Sequence, residues 1–221
     1  MIVQLLTDTA GRRSYMVQGV RSRSGHGSKL ALFQPAFPVE FEGLESPRME
    51  LDRFKEVRSG FLLQNLPFDL RKSTIALFTA EVLHRLVQES EPNEPLFEFV
   101  WNSIGALDAL DAGVANFHLW FLAHLSRLLG FSPGNSYTKG DRFDLREGLF
   151  TPFPSVAGME FSPENARLLN DFLQCDVRCL GEIGMNRTER VGFLQALLAY
   201  YAYHLDAIRA VQSVQILQEV F

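Results

Sequence analysis

Only two of the 221 residues are cysteine, Cys175 and Cys179. That excludes a disulfide framework and a four-cysteine zinc site, and it fits a reducing compartment. No apolar run approaches the roughly 20 residues of a membrane helix. The opening Met1-Ile2-Val3-Gln4-Leu5-Leu6-Thr7-Asp8 has neither the basic flank nor the cleavage site of a secretory signal. The expectation is a cytoplasmic protein with no membrane attachment. Repeats and low-complexity tracts are lacking, and 47% hydrophobic with 21% charged residues lies outside the disordered and collagenous classes. Catalytic signatures are lacking as well. There is no P-loop, dinucleotide fingerprint, Gly-x-Ser-x-Gly elbow or evident Cys/His nucleophile pair, so neither an enzyme nor a cofactor is expected.

What the chain does have is charge asymmetry. Its net charge is −5, yet residues 1–72 carry +3 and residues 73–221 carry −8. Within the first 30 residues Arg12, Arg13, Arg21, Arg23 and Lys29 face only Asp8. A basic module on an acidic body can bind a polyanion locally, because charges are screened beyond about 8–10 Å at physiological salt. An ordinary solvated surface accounts for the same numbers equally well.

Short alternating runs at 2–7, 14–20, 33–41, 49–57 and 60–65 predict strands, with a hairpin connection at Thr9-Ala10-Gly11-Arg12. Pro35 and Pro38 confine the third run to an edge or interrupt it. From Asp69 the apolar period changes to that of helices: Ile75, Phe78, Val82 and Leu86 share one face. Asn93 with Pro95, and Ser162-Pro163-Glu164, read as helix starts. A third helix is predicted over 114–129, an irregular excursion with a hairpin near Glu147-Gly148 over 131–161, and closing helices over 187–205 and 206–220. The fold class is therefore α+β, with a small β domain over 1–68 and an all-α domain over 69–221.

Nucleic acid needs a cationic groove with aromatic or flexible polar groups. Arg12, Arg13, Arg21, Arg23, His26 and Lys29 form the candidate DNA-binding set, with Tyr15 and Phe33 as stacking faces unless they are core. Cys175 and Cys179 lack further ligands, and His118 and His124, six apart, cannot share a metal from one helix. Asp141, Asp144 and Glu147 lack calcium-loop spacing, so no metal is expected. Asn186-Arg187-Thr188 matches a glycosylation acceptor that means nothing without secretion.

Gly19-Val20-Arg21-Ser22-Arg23 is followed after a short loop by Phe33-Gln34-Pro35-Ala36-Phe37-Pro38, then by Ala80-Glu81-Val82-Leu83-His84, Pro92-Asn93-Glu94-Pro95-Leu96-Phe97 and Leu128-Leu129-Gly130-Phe131-Ser132-Pro133. In this order, together with Tyr200 to Phe221, these segments resemble the bacterial RecO family of recombination mediators in DNA repair. The resemblance implies an N-terminal OB-like small β-barrel followed by a helical domain. It implies DNA binding, single- and double-stranded, through the barrel, and a helical groove for the acidic C-terminal tail of single-stranded-DNA-binding protein. RecR is implied as a partner and a RecA-type recombinase as an indirect one, in a nucleoid-associated protein. Phe117, Trp120 and Arg127 on the third helix are the candidates for the tail. Two departures stand out. Relatives carry a further strand ahead of the position of Met1, so an incomplete barrel, or one filled by a neighbour, is expected. The four-cysteine zinc module of some members has no counterpart in 131–161. A protein-interaction scaffold without DNA binding is the alternative.

Overall fold

The computed structural model describes residues 1–17, 29–44, 52–155 and 158–221. Strands β1 (Ile2–Thr7) and β2 (Gly11–Met16) form an antiparallel hairpin in the register Thr7 opposite Gly11. Gly11 takes φ +60°, which the tight turn requires and a residue without Cβ adopts freely. A 3₁₀ helix (Lys29–Phe33) leads to β3 (Val39–Leu44) and β4 (Asp52–Ser59), which are antiparallel, while β4 runs parallel to β2. The order is β1-β2-β4-β3. Among the described residues β1 and β3 each have one sheet neighbour, so the sheet is open and the expected barrel is not closed. Its interior is aromatic: Tyr15 stacks on Phe54 at 4.8 Å and meets Phe41 edge-on at 4.9 Å, with Phe33 at 5.4 Å from Phe54.

Two predicted strands need correction. The run 33–41 becomes helical turn, bend and only then strand from Val39, because Pro35 and Pro38 offer no N–H and Ala36 sits at φ +60°. The run 60–65 is not a strand. The peptide N–H groups of Gln64, Asn65 and Leu66 donate to the Asp108 carboxylate at 2.9, 2.8 and 2.6 Å, which leaves them unavailable to a ladder.

The helical body starts at α1 (Leu70–Leu86), whose first N–H groups are accepted by Asp69, and continues with α2 (Glu94–Ala109), capped by Asn93 with proline in its first turn. A 3₁₀ turn (Val114–Asn116) precedes α3 (Phe117–Leu128). The excursion holds the expected hairpin: β5 (Arg142–Asp144) pairs with β6 (Leu149–Thr151) and also with β7 (Glu160–Phe161). Then come α4 (Pro163–Gln174), capped by Ser162, a 3₁₀ helix (Val177–Glu182) and α5 (Arg187–His204). The predicted last helix divides into a 3₁₀ turn (Asp206–Ala210) and α6 (Ser213–Val220). Glu81 on α1 takes the N–H groups of Gln212 and Ser213, fixing that new start. No helix among the described residues is long and apolar enough to cross a membrane.

The core sits around α3, which is buried on nearly every side, as a helix apolar all round must be. Phe117, Leu119, Phe121, Leu122 and Leu125 have no exposed surface. From α5, the Tyr201 hydroxyl donates to Leu122 O and the Tyr200 hydroxyl to Phe131 O, both at 2.7 Å, so these rings bury their area without an orphaned O–H.

Candidate nucleic-acid interface

The hairpin β1–β2 decides where the first two arginines go. A Cβ on Gly11 would lie 2.2 Å from the Glu91 carbonyl oxygen, and the Arg12 N–H donates to Glu89 O at 3.0 Å, so the hairpin presses on the segment after α1. Arg12 accordingly points at the helical body. Its guanidinium donates to His84 O at 2.9 Å, Val87 O at 3.0 Å and Gln4 Oε1 at 2.9 Å. Two of those acceptors are carbonyls at the α1 C-terminus, where a cation also offsets the negative end of the helix dipole. Arg12 is thus a clamp between sheet and body, an outcome its sequence neighbours do not foretell. Arg13, the next residue, points to the opposite side of the strand and is exposed, with no ion pair among the described residues.

Arg21, Arg23 and His26 lie outside the described residues. Lys29 opens the first 3₁₀ helix. Tyr15 is buried among Phe41 and Phe54, so it is core and offers no face to a base. Elsewhere on the sheet two cations are matched: Lys55 pairs with Glu42 at 2.7 Å and Arg58 with Glu40 at 2.6 Å across β3 and β4. Exposed pairs of this kind stabilise little, typically 0–1 kcal/mol, but they cancel local potential.

The three tail-binding candidates of α3 do not come together on one surface. Phe117 is fully buried, tilted against Trp120 at 5.6 Å and stacked on Phe121 at 6.4 Å. Trp120 is nearly so, its indole N–H donating to Cys175 O at 3.0 Å. Arg127, in the last turn of α3, is exposed. A helix that crosses the middle of the body has no solvent face at its start, and only its end emerges.

Sequence reasoning missed two buried polar positions. Asp108 holds the sheet-to-body connection through the three N–H groups given above, and Lys72 Nζ donates to its carbonyl at 2.7 Å. Burial raises its pKa, but the N–H groups of Leu66, Gln64 and Asn65 and the Lys72 charge outweigh that and keep the carboxyl below its ordinary value. A charged residue inside the apolar face of α2 was the available signal. His118 lies between Phe78 and the Phe221 ring, stacked on the latter at 5.8 Å. Its Nδ1 has no hydrogen-bond partner among the described residues, and burial, reinforced by Arg190, lowers its pKa to about 3. The other histidine of α3, His124, shares a hydrogen bond with Phe172 O at 3.1 Å. Cys175 and Cys179 are free thiols. Among the described residues no three His, Cys, Asp or Glu side chains are grouped to hold a metal ion.

Comparison with known proteins adds what the geometry does not state. Residues 67–210 match the family described as Recombination protein O C terminal. The chain is similar to a DNA repair protein RecO of Bacteroides fragilis (strain ATCC 25285), 38% identical over 222 residues, covering 100% of this chain and 91% of that one. A DNA repair protein RecO of Phocaeicola vulgatus is 36% identical over 221 residues, with 100% and 91% covered. One of Flavobacterium psychrophilum is 34% identical over 221 residues, with 100% and 92% covered.

Proposed function

Because the chain belongs to the RecO family of DNA repair and recombination proteins, we propose that it is a non-enzymatic recombination mediator whose sheet end grips DNA while its helical body docks partners. No bond is made or broken. The basic segment beginning at Arg13 follows the phosphates of single- or double-stranded DNA, with Arg21, Arg23, His26 and Lys29 extending the contact. The helical body engages the acidic tail of single-stranded-DNA-binding protein, with Arg127 as the cation for its carboxylates, and a RecR partner. A RecA-type recombinase is then loaded indirectly, in the cytoplasm at the nucleoid. The observation that carries this reading is Arg13: an exposed arginine without an ion pair among the described residues, at the head of the basic segment, on a sheet whose Lys55 and Arg58 are neutralised.

Single-stranded oligonucleotide binding measured across salt concentrations tests it. If Arg13, Arg21, Arg23 and Lys29 each meet a phosphate, log K falls with log salt with a slope of about −3. Replacing Arg21 and Arg23 together by alanine lowers the slope by about 1.4. Binding that ignores salt, or no binding at low salt, sinks the proposal.

A scaffold that binds partners without DNA is the second reading, favoured by one observation: Arg12 is consumed inside the protein, and Lys55 and Arg58 of β4 are paired. Tail-peptide binding without DNA affinity selects it.

A further inference from the structure

Cys175 and Cys179 fall where α4 gives way to the second 3₁₀ helix of the body, Val177–Glu182. Cys175 (φ −82°, ψ 130°) and Asp176 (φ −69°, ψ 145°) are extended, and the chain then turns sharply, the Cys179 N–H donating to Asp176 O at 2.9 Å. Asp176 holds that turn: its carboxylate accepts the Arg178 N–H at 2.9 Å and the Arg178 guanidinium at 2.8 Å. Two extended residues followed by a 3₁₀ turn carry the Cys179 Cα back to about 6 Å from that of Cys175, within the span of about 4.4–6.8 Å that a disulfide bridges without backbone movement. Both thiols are half-buried and free. Their proximity is also electrostatic, for burial raises the Cys175 pKa most and the charge of Cys179 adds to it, followed by Glu182, Asp176 and Asp171. The pair borders the start of α3. Cys175 O accepts the Trp120 indole N–H at 3.0 Å, and beside Cys179 the Leu180 O accepts the Asn116 amide at 3.1 Å.

We propose that Cys175 and Cys179 form a reversible dithiol–disulfide site whose co-reactant is a small disulfide such as oxidised glutathione. One cysteine thiolate attacks a sulfur of that disulfide and one glutathione thiolate leaves. The other cysteine gives up its proton, attacks the protein sulfur of the mixed disulfide and expels the second glutathione thiolate. Two cysteine thiols are thus oxidised to one S–S bond, one disulfide is reduced to two thiols, and the two protons end on glutathione. The acidic surroundings set the character of the bond. A thiolate beside Asp171, Asp176 and Glu182 gains no stabilisation, so it is a poor leaving group and the bond, once made, is slow to reduce. The staple ties together the two segments that hold Trp120 and Asn116, and it is independent of DNA binding.

The test incubates the 221-residue protein in glutathione buffers of graded oxidised-to-reduced ratio, quenches with acid, alkylates the remaining thiols in denaturant and weighs the product. The protein is expected to pass from two alkylated cysteines to none in one two-electron step, lighter by two hydrogens and free of glutathione, and a dithiol reductant is expected to restore both thiols. Cys179→Ser is expected to stop at a glutathione adduct on Cys175. Of the two indole N–H resonances, that of Trp120 is expected to shift on oxidation and that of Trp101, stacked on Phe97, to stay. Two alkylated cysteines at every ratio, a lasting glutathione adduct on the unaltered chain, or a disulfide between two chains overturns the proposal. Loss of both thiols with both indole signals displaced also overturns it, because the bond then requires a disrupted body.

Discussion

Tyr15, Phe41 and Phe54 meet in the sheet, and Phe99, Phe117 and Phe121 meet in the helical body, yet the two aromatic clusters do different work. In the body the rings are enclosed by the helices and the small sheet of the excursion, and Phe117, Phe121, Phe143, Phe172 and Tyr201 have no exposed surface. In the sheet, Tyr15 and Val17 are the only described hydrophobic residues before Leu66 that count as buried. The sheet therefore leans on the body, through the Arg12 clamp, the Gly11–Glu91 contact and the Asp108 staple, and is expected to open before the body does. The difference teaches that stability resides in the acidic half and adaptability in the basic half.

The largest effect tests the body. Phe117→Ala is expected to cost about 3–5 kcal/mol in global unfolding by urea, because a fully enclosed ring leaves a cavity its neighbours cannot fill. Tyr15→Ala is expected to accelerate exchange in β1–β4 while leaving most of the urea midpoint of the body in place. Equal global losses for the two would erase the distinction between the regions.

His118 sharpens the comparison through pH. The ring is neutral when folded, with a pKa near 3, and titrates near 6.5 when unfolded. The unfolded chain binds the proton first, so stability falls as pH drops from about 6.5 towards 3, by about 1.4 kcal/mol per unit from this group alone. His118→Leu is expected to remove that increment from a urea-stability profile between pH 7 and 5. An unchanged profile means that the ring is already charged in the folded body.

What was legible in the sequence was local. The glycine of the β1–β2 hairpin, the Asn93 and Ser162 caps, and the hairpin at Gly148 are each written in a few adjacent residues, because turn and cap chemistry needs nothing further away. What failed was set by distant contacts. The run 60–65 alternates like a strand, but Asp108 claims its N–H groups from more than 40 residues on. The candidate site divides in the same way. Arg12 and Arg13 are indistinguishable as neighbours in a string, and only the packing of Gly11 on Glu91 settles which face of β2 meets the helix. Phe117 and Trp120 lie on a stripe with Arg127, but coverage from α4 and α5 determines that the start of α3 is interior and its end is surface.

The smallest effects fall on that pair of arginines, and they separate structure from binding. Arg12→Ala leaves the α1 carbonyls of His84 and Val87 without their cation and loosens the hairpin, so about 1–2 kcal/mol of local stability is expected to vanish, read as faster exchange in β1, β2 and the last turn of α1. Any loss of DNA affinity in that variant then follows from the altered sheet, and its salt slope is expected to stay within error of the parent. Arg13→Ala is expected to do the reverse. Its side chain is exposed and makes no ion pair among the described residues, so urea stability is expected to move by less than about 0.5 kcal/mol. Removing one cation from the phosphates of a single strand lowers the slope of log K against log salt by about 0.7. If Arg13→Ala leaves that slope intact while Arg12→Ala reduces it, the cationic face lies on the side of β2 that meets the helix, and the roles of clamp and phosphate ligand must be exchanged.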